Sequence, residues 1–239
     1  MKNIILKKLY FTLLSIFVFS TANSHEGFIE NKGQLPKNVI AKKNIVGGGL
    51  FVEKGKLTFS FYDQRQLKIF HNRTDELRQI NFHAYTLAFQ NINNSILYEL
   101  SDRLSYTENY YIGEKSKWAK DVRHYQKLKQ KNIYDGIDLI LYNKTNNLKY
   151  DLYVHQYANV EDIKIKYDGH GKLLLKDGNL IVSTSVNTIS ELQPYAYQII
   201  NFDTVSVECN YVLHKDKLSF DFPFGYNKGC DLIIDPTLI

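Results

Sequence analysis

The chain has 239 residues, with 30 Lys and Arg against 25 Asp and Glu, for a formal charge of +5. Three of its lysines lie in an acid-free start, so residues 25–239 carry only +2, too little for nucleic-acid binding through many clustered cations. Eighteen Tyr and fourteen Phe beside four Pro and one Met favour pleated, half-buried surfaces, and no later stretch is long and apolar enough to span a membrane as a helix.

At the N-terminus, Lys2, Lys7 and Lys8 precede an apolar run from Leu9 to Phe19, broken by Thr12 and Ser15. Ala22 and Ser24 then stand at the −3 and −1 positions of a cleavage site. This charged start, short apolar middle and small-residue end predict a secretory signal peptide over 1–24. The domain is then 25–239, exported to the periplasm, the cell surface or the medium, with no membrane span after cleavage.

From about Val39 the sequence alternates with a period of two. Gly47, Gly48 and Gly49 interrupt the first such stretch and predict a loop or bulge over 44–49. Leu57, Phe59 and Phe61 then alternate with Thr58, Ser60 and Tyr62. The polar segment 63–79 reads as an excursion or internal boundary. A single short helix, a turn or two around Glu114 to Lys120, is expected, anchored by Trp118. Further strands follow: Ile137, Leu139 and Leu141 on one face, then Leu148, Tyr150, Leu152 and Val154. Val205, Val207, Cys209, Tyr211 and Leu213 read as one face of a single strand, and Leu218, Phe220 and Phe222 as another. Side chains on a strand point alternately to opposite faces, so each run predicts a strand with one buried side. Asp168-Gly169 and Asp177-Gly178 supply the positive φ of tight turns, and Asn146-Asn147 and Lys215-Asp216 read as hairpin tips. Frequent strands with almost no helical period predict an all-β, antiparallel, sandwich-like domain, divisible into lobes 25–112 and 113–239.

Familiar chemical signatures fail on spacing. Gly49 and Gly55-Lys56 are one residue too far apart for a phosphate loop, and Leu57 stands where a hydroxyl is required. The seven histidines are dispersed without a ligand-spaced pair, and no serine sits in a Gly-x-Ser-x-Gly elbow. Asp135, Asp138 and Asp151 are the carboxylates best placed for a cation, yet such residues more often cap turns or face water. No catalytic residue, metal site or cofactor is therefore assigned. Asp235 before Pro236 reads as the end of a final strand.

Arg123, Tyr125, Lys127, Lys129 and Lys131 share one parity. An extended chain presents them together, either as a cationic stripe for an acidic polysaccharide or headgroup, or as an edge strand guarded by lysines. Cys209 and Cys230 fit either a disulfide of an exported protein or two free, buried thiols.

Several segments carry a resemblance: Phe28-x-Glu30-Asn31-Lys32-Gly33-Gln34; Asn109-Tyr110-Tyr111-Ile112-Gly113 with Lys117-Trp118; Tyr134-Asp135-Gly136-Ile137-Asp138-Leu139; Leu148-Lys149-Tyr150-Asp151; Gln193-Pro194-Tyr195-Ala196-Tyr197-Gln198; and Leu232-Ile233-Ile234-Asp235-Pro236. In that order the sequence resembles the uncharacterised N-terminal domain of secreted Bacteroidetes proteins with β-propeller-type SBBP repeats, including gliding-motility-associated proteins. The resemblance implies a module that precedes propeller and immunoglobulin-like repeats and a C-terminal sorting domain. Here the chain ends at Ile239, where the first repeat is expected, which suggests a stand-alone or shortened form. The resemblance brings no catalytic residues. The expected function is a non-catalytic structural or adhesion module that binds a surface glycan or another extracellular domain. The rival expectation is a secreted hydrolase or carbohydrate-processing enzyme whose site assembles from separate strands.

Overall fold

The computed structural model describes residues 27–66, 79–144 and 147–238. The signal-peptide expectation over 1–24, most of the segment 63–79 and the tip of the hairpin at Asn146 lie outside the described residues. Eighteen strands run in chain order: β1 (Phe28–Glu30), β2 (Val39–Ile45), β3 (Gly48–Glu53), β4 (Lys56–Tyr62), β5 (Phe82–Phe89), β6 (Leu97–Tyr110), β7 (Ala119–Tyr134), β8 (Ile137–Lys144) and β9 (Asn147–Val154). They continue with β10 (Ile165–Asp168), β11 (Lys172–Lys176), β12 (Asn179–Ser183), β13 (Thr188–Glu191), β14 (Tyr195–Ile200), β15 (Asp203–Val207), β16 (Asn210–His214), β17 (Lys217–Asp221) and β18 (Leu232–Asp235).

Fifteen strands form one antiparallel sheet, and β11, β12 and β13 form a second. The large sheet forks at β7. Residues 127–130 of β7 pair with both β6 and β8, and Tyr125 pairs with both β6 and β1, so β8 and β1 share the edge opposite β6. One arm runs β8-β9-β18-β14-β15, the other β1-β2-β3-β4-β5-β10-β17-β16. The inward residues of both arms belong to a single core, with Leu139, Leu141 and Leu152 from the first and Leu50, Leu57, Phe59 and Leu87 from the second. Leu180, Val182 and Ile189 of the small sheet join them. Each such side chain contributes about 1.5–3 kcal/mol through burial. The all-β, antiparallel, sandwich-like expectation is met, with the two layers made from arms of one sheet. Strand pairs cross position 113 at β1–β7 and at β5–β10.

Alternation is obeyed closely in β4, where Leu57, Phe59 and Phe61 are buried and their neighbours half-buried. The Asp177-Gly178 turn closes β11 on β12 with positive φ at both residues, and Lys215 with Asp216 closes β16 on β17. Asn31 fixes the opening loop: its Oδ1 accepts from the amides of Gly33 and Leu35, while Nδ2 donates to the carbonyls of Pro36 and Val39.

Two expectations are corrected. The run 205–213 is two strands, with the chain passing between Val207 and Asn210 from one arm to the other, and Val205 is exposed. Gly48 and Gly49 belong to β3, because a Cβ on Gly48 would lie 1.9 Å from the carbonyl oxygen of Ser60 on β4. The short helix expected around 114–120 is present as one 3-10 turn, Lys115–Lys117, although Trp118, expected as its anchor, is 41% exposed. Of the two cysteine alternatives, the disulfide is not formed: Cys209, buried, and Cys230, half-buried, are free thiols. Val207 pairs with Ala196 and Leu232 with Gln198, so the two cysteines flank opposite ends of β14, roughly 20 Å apart at about 3.3 Å per residue and beyond bridging distance. Burial, with the Asp221 charge, pushes the Cys209 thiol up to about 12.

One polar contact ties the layers together. The hydroxyl of Tyr150 on β9 donates to Glu191 Oε1 at 2.6 Å, and that of Tyr167 on β10 donates to Oε2 at 2.7 Å. Glu191 itself sits at the end of β13, 1% exposed. Burial raises its carboxyl above the ordinary value of 4.5, and the two tyrosine hydrogen bonds only partly offset this. A raised folded-state value adds stability that is complete below the unfolded value and is lost as pH climbs through the folded one. Relative to Glu191→Gln, the native chain should therefore be favoured most below pH 4.5 and lose that advantage at higher pH. Urea denaturation across pH 4–9 measures it, and a gap that widens with pH would contradict the assignment. Tyr150→Phe should cost about 2 kcal/mol at neutral pH.

Candidate functional site: a tyrosine-lined cleft

The outer face of the first arm carries an ordered set of polar and aromatic side chains. On β9 the buried Leu148, Tyr150 and Leu152 turn Lys149 and Asp151 outward. On β14 the buried Ala196 and Gln198 turn Tyr195 and Tyr197 outward. Register then sets neighbours: Tyr142 of β8 lies opposite Lys149, Lys149 opposite Thr237, and Asp235 of β18 opposite Tyr195.

These side chains line an open cleft of about 580 Å³. At its floor Lys149 Nζ lies 2.7 Å from each oxygen of Asp235, with both side chains largely buried. One wall is aromatic, with the rings of Tyr195 and Tyr197 stacked 5.5 Å apart at 26°. Opposite stands Tyr142, whose hydroxyl donates to Asp151 Oδ1 at 3.2 Å. Leu192, Gln193, Thr204 and Thr237 complete the lining. Burial, then the charges of Asp151 and Asp235, raise the hydroxyls of Tyr142 and Tyr197, so both remain protonated donors. Behind the wall, Gln198 braces β14: Nε2 donates to the carbonyls of Asn227 and Cys230, and Oε1 accepts from the Asn227 amide.

The residues singled out in the sequence lie elsewhere. Arg123, Tyr125, Lys127, Lys129 and Lys131 do share β7, but β7 is internal and β6 is the edge, which corrects the edge-strand reading. Three of the four cations sit in ion pairs: Lys127 with Asp102 at 3.8 Å, Lys129 with Asp138 at 2.7 Å and Lys131 with Glu99 at 2.7 Å. The amide of Arg123 donates to Glu30. Asp135, Asp138 and Asp151 are engaged separately, by Asn93, by Lys129 with His155, and by Tyr142. Burial works to raise Asp138, but hydrogen bonds from Lys129, the Asn132 amide and His155 prevail and hold it below the usual carboxylate value. Among the described residues no group of three or more His, Cys, Asp or Glu is placed to hold a metal. Asp235 ends the last strand as expected, yet it also anchors the cleft, a role the sequence reading missed together with Lys149, Tyr142, Tyr195 and Tyr197. The outward Tyr-x-Tyr pair beside Gln193 was the available signal.

Fold and cleft together define an all-antiparallel-β domain with a polar, aromatic recess on one layer. The chain belongs to the family described as a domain of unknown function, DUF7948, whose model matches residues 28–237. Comparison with curated proteins and with solved structures finds no match.

The buried geometry of the ion pair makes its two members interdependent. Lys149→Met alone leaves Asp235 with an uncompensated, largely buried charge and should cost about 2 kcal/mol. The double variant with Asp235→Asn should recover part of that loss, giving a coupling energy above about 1 kcal/mol in a denaturation cycle. Additive single effects would show instead that the pair is as weak as an exposed one.

Proposed function

We propose that the chain is an exported, non-catalytic binding module that takes a surface glycan in this cleft. The observation carrying the reading is the stacked Tyr195–Tyr197 wall beside the fixed Lys149–Asp235 pair. A sugar ring offers an apolar C–H face and a rim of hydroxyls. Aromatic faces suit the first, while oriented donors and acceptors suit the second. The floor is an already neutralised pair with Asp151 close by, so the recess favours an uncharged or weakly charged saccharide over a polyanion. The ion pairs along β7 argue the same way.

The hydrolase reading needs a carboxyl held protonated against the ligand. Glu191 has a raised carboxyl, but it is sealed in the core, away from the cleft. In the cleft, both oxygens of Asp235 lie 2.7 Å from Lys149 Nζ.

A glycan array probed with the purified 25–239 product tests the proposal. At least one neutral saccharide should bind, and Tyr195→Ala and Tyr197→Ala should each weaken binding about tenfold, equivalent to 1.4 kcal/mol. Their thermal midpoints should stay near that of the parent. An array without binders, or binders indifferent to both substitutions, would remove the cleft from consideration. Cleavage of a bound saccharide would favour the hydrolase.

A further inference from the structure

The hairpin of β6 and β7 reaches past its neighbours. β1 pairs with β7 only at His124 and Tyr125, and β8 pairs from Lys127 onward, so from Val122 to Ala119 the paired partner of β7 is β6. A separate small cluster of Ile29, Ala119 and Val122, with Tyr110 packed on it, supports this stem. Beyond the stem, Gly113 takes φ +70° and the Lys115–Lys117 turn returns the chain. Tyr111 and Trp118 close the tip edge to face at 5.2 Å, and the Trp118 indole N–H donates to the Gly113 carbonyl at 3.3 Å.

What the tip displays exceeds what closing a hairpin requires. Ile112 is 78% exposed at its end, between the half-exposed rings of Tyr111 and Trp118. Lysines ring these groups, with Lys115 Nζ 5.9 Å from the Trp118 ring centre and Lys120 Nζ 6.0 Å from that of Tyr111. Residues 111–120 hold three lysines against one glutamate. Exposed apolar and amphipathic aromatic side chains inside a cationic rim match a boundary that is apolar within and anionic at its surface.

We propose that this tip docks on an anionic phospholipid surface. Ile112, Tyr111 and Trp118 enter the headgroup boundary, and Lys115, Lys117 and Lys120 meet the phosphates. This is independent of the glycan cleft, which lies on the arm built from β8, β9, β18, β14 and β15. It differs also from the β7 stripe, whose lysines are largely paired with acids.

Trp118 is the sole tryptophan of the chain, so its emission reports the tip directly. The purified 25–239 product is mixed with vesicles of phosphatidylcholine, with or without a substantial fraction of phosphatidylglycerol. With anionic vesicles, Trp118 emission should shift to the blue and the protein should sediment, roughly tenfold more tightly than with phosphatidylcholine alone. High salt should weaken the binding. Ile112→Asp and the triple change Lys115→Glu, Lys117→Glu, Lys120→Glu should each abolish it, while Tyr195→Ala should leave it unchanged. Unshifted emission with both vesicle types would overturn the proposal. So would an equal shift with soluble dextran sulfate but no vesicle sedimentation, which would mark a polyanion site instead.

Discussion

Burying a carboxyl group costs several kcal/mol unless its oxygens are satisfied, and Glu191 meets that condition only where three elements arrive together. Tyr150 comes from the first arm of the forked sheet, Tyr167 from the second, and Glu191 from the small sheet. Apolar contacts alone tolerate sliding, since they are non-directional. Two short hydrogen bonds to one carboxyl do not. They fix how far apart the arms stand and where the small sheet docks. The rings around them belong to the same constraint: Tyr85 stacks on Phe59 at 5.2 Å and on Tyr167 at 6.5 Å. A carboxyl at this position thus supplies registry between layers that a leucine could not.

The fork explains how one chain closes a sandwich-like core. At sixteen residues, β7 is long enough to give one edge to β6 and to divide the other between β8 and β1. The strands that follow on either side diverge and face one another. Gln130 helps to hold the fork, since its side chain accepts from the amide of Gly55 and donates to the carbonyl of Glu53, both at the β3–β4 turn. The cleft is a consequence. Once the first arm is pinned on its inner face, its outer face becomes a rigid board on which Tyr142, Lys149, Asp235 and Tyr195 fall into adjacent rows.

Strand content was legible because the core demands period-two burial, and β4, β8 and β9 follow it closely. It failed where burial and hydrogen bonding parted company. Between Val207 and Asn210 the chain changes strands without a glycine or proline to announce it, and burial keeps alternating, so the pattern read straight through the change of partner. At Gly48 the glycine reads as a breaker in sequence, yet its missing side chain is what lets β3 approach β4. The cleft was hidden for a different reason. Lys149 and Asp235 are separated by 86 positions, and the order β9-β18-β14 inserts the last strand between two earlier ones. No local pattern encodes that insertion. The cationic parity of β7 was visible, but its acidic partners Asp102 and Glu99 lie on a strand whose register only the fold reveals.

The same alternation that builds the core also couples it to the cleft. On β9, Tyr150 reaches inward to Glu191 while its neighbours Lys149 and Asp151 face the recess. On β14, Gln198 is buried and holds the 227–231 loop, while Tyr197 one residue earlier forms the wall. A displacement of either strand large enough to break the inner contacts would shift the outer ones by the same distance, because the two sets hang from adjacent α-carbons. Placing the recess on a paired, internally braced layer therefore means that the proposed ligand would not have to order the site, a cost that binding on loops incurs. The β6–β7 tip projects beyond these layers, its stem held by the Ile29, Ala119 and Val122 cluster and by Lys32 Nζ on the Lys120 carbonyl, and its exposed Ile112 with half-exposed Tyr111 and Trp118 fits the proposed soft, laterally averaged surface better than a ligand of fixed shape.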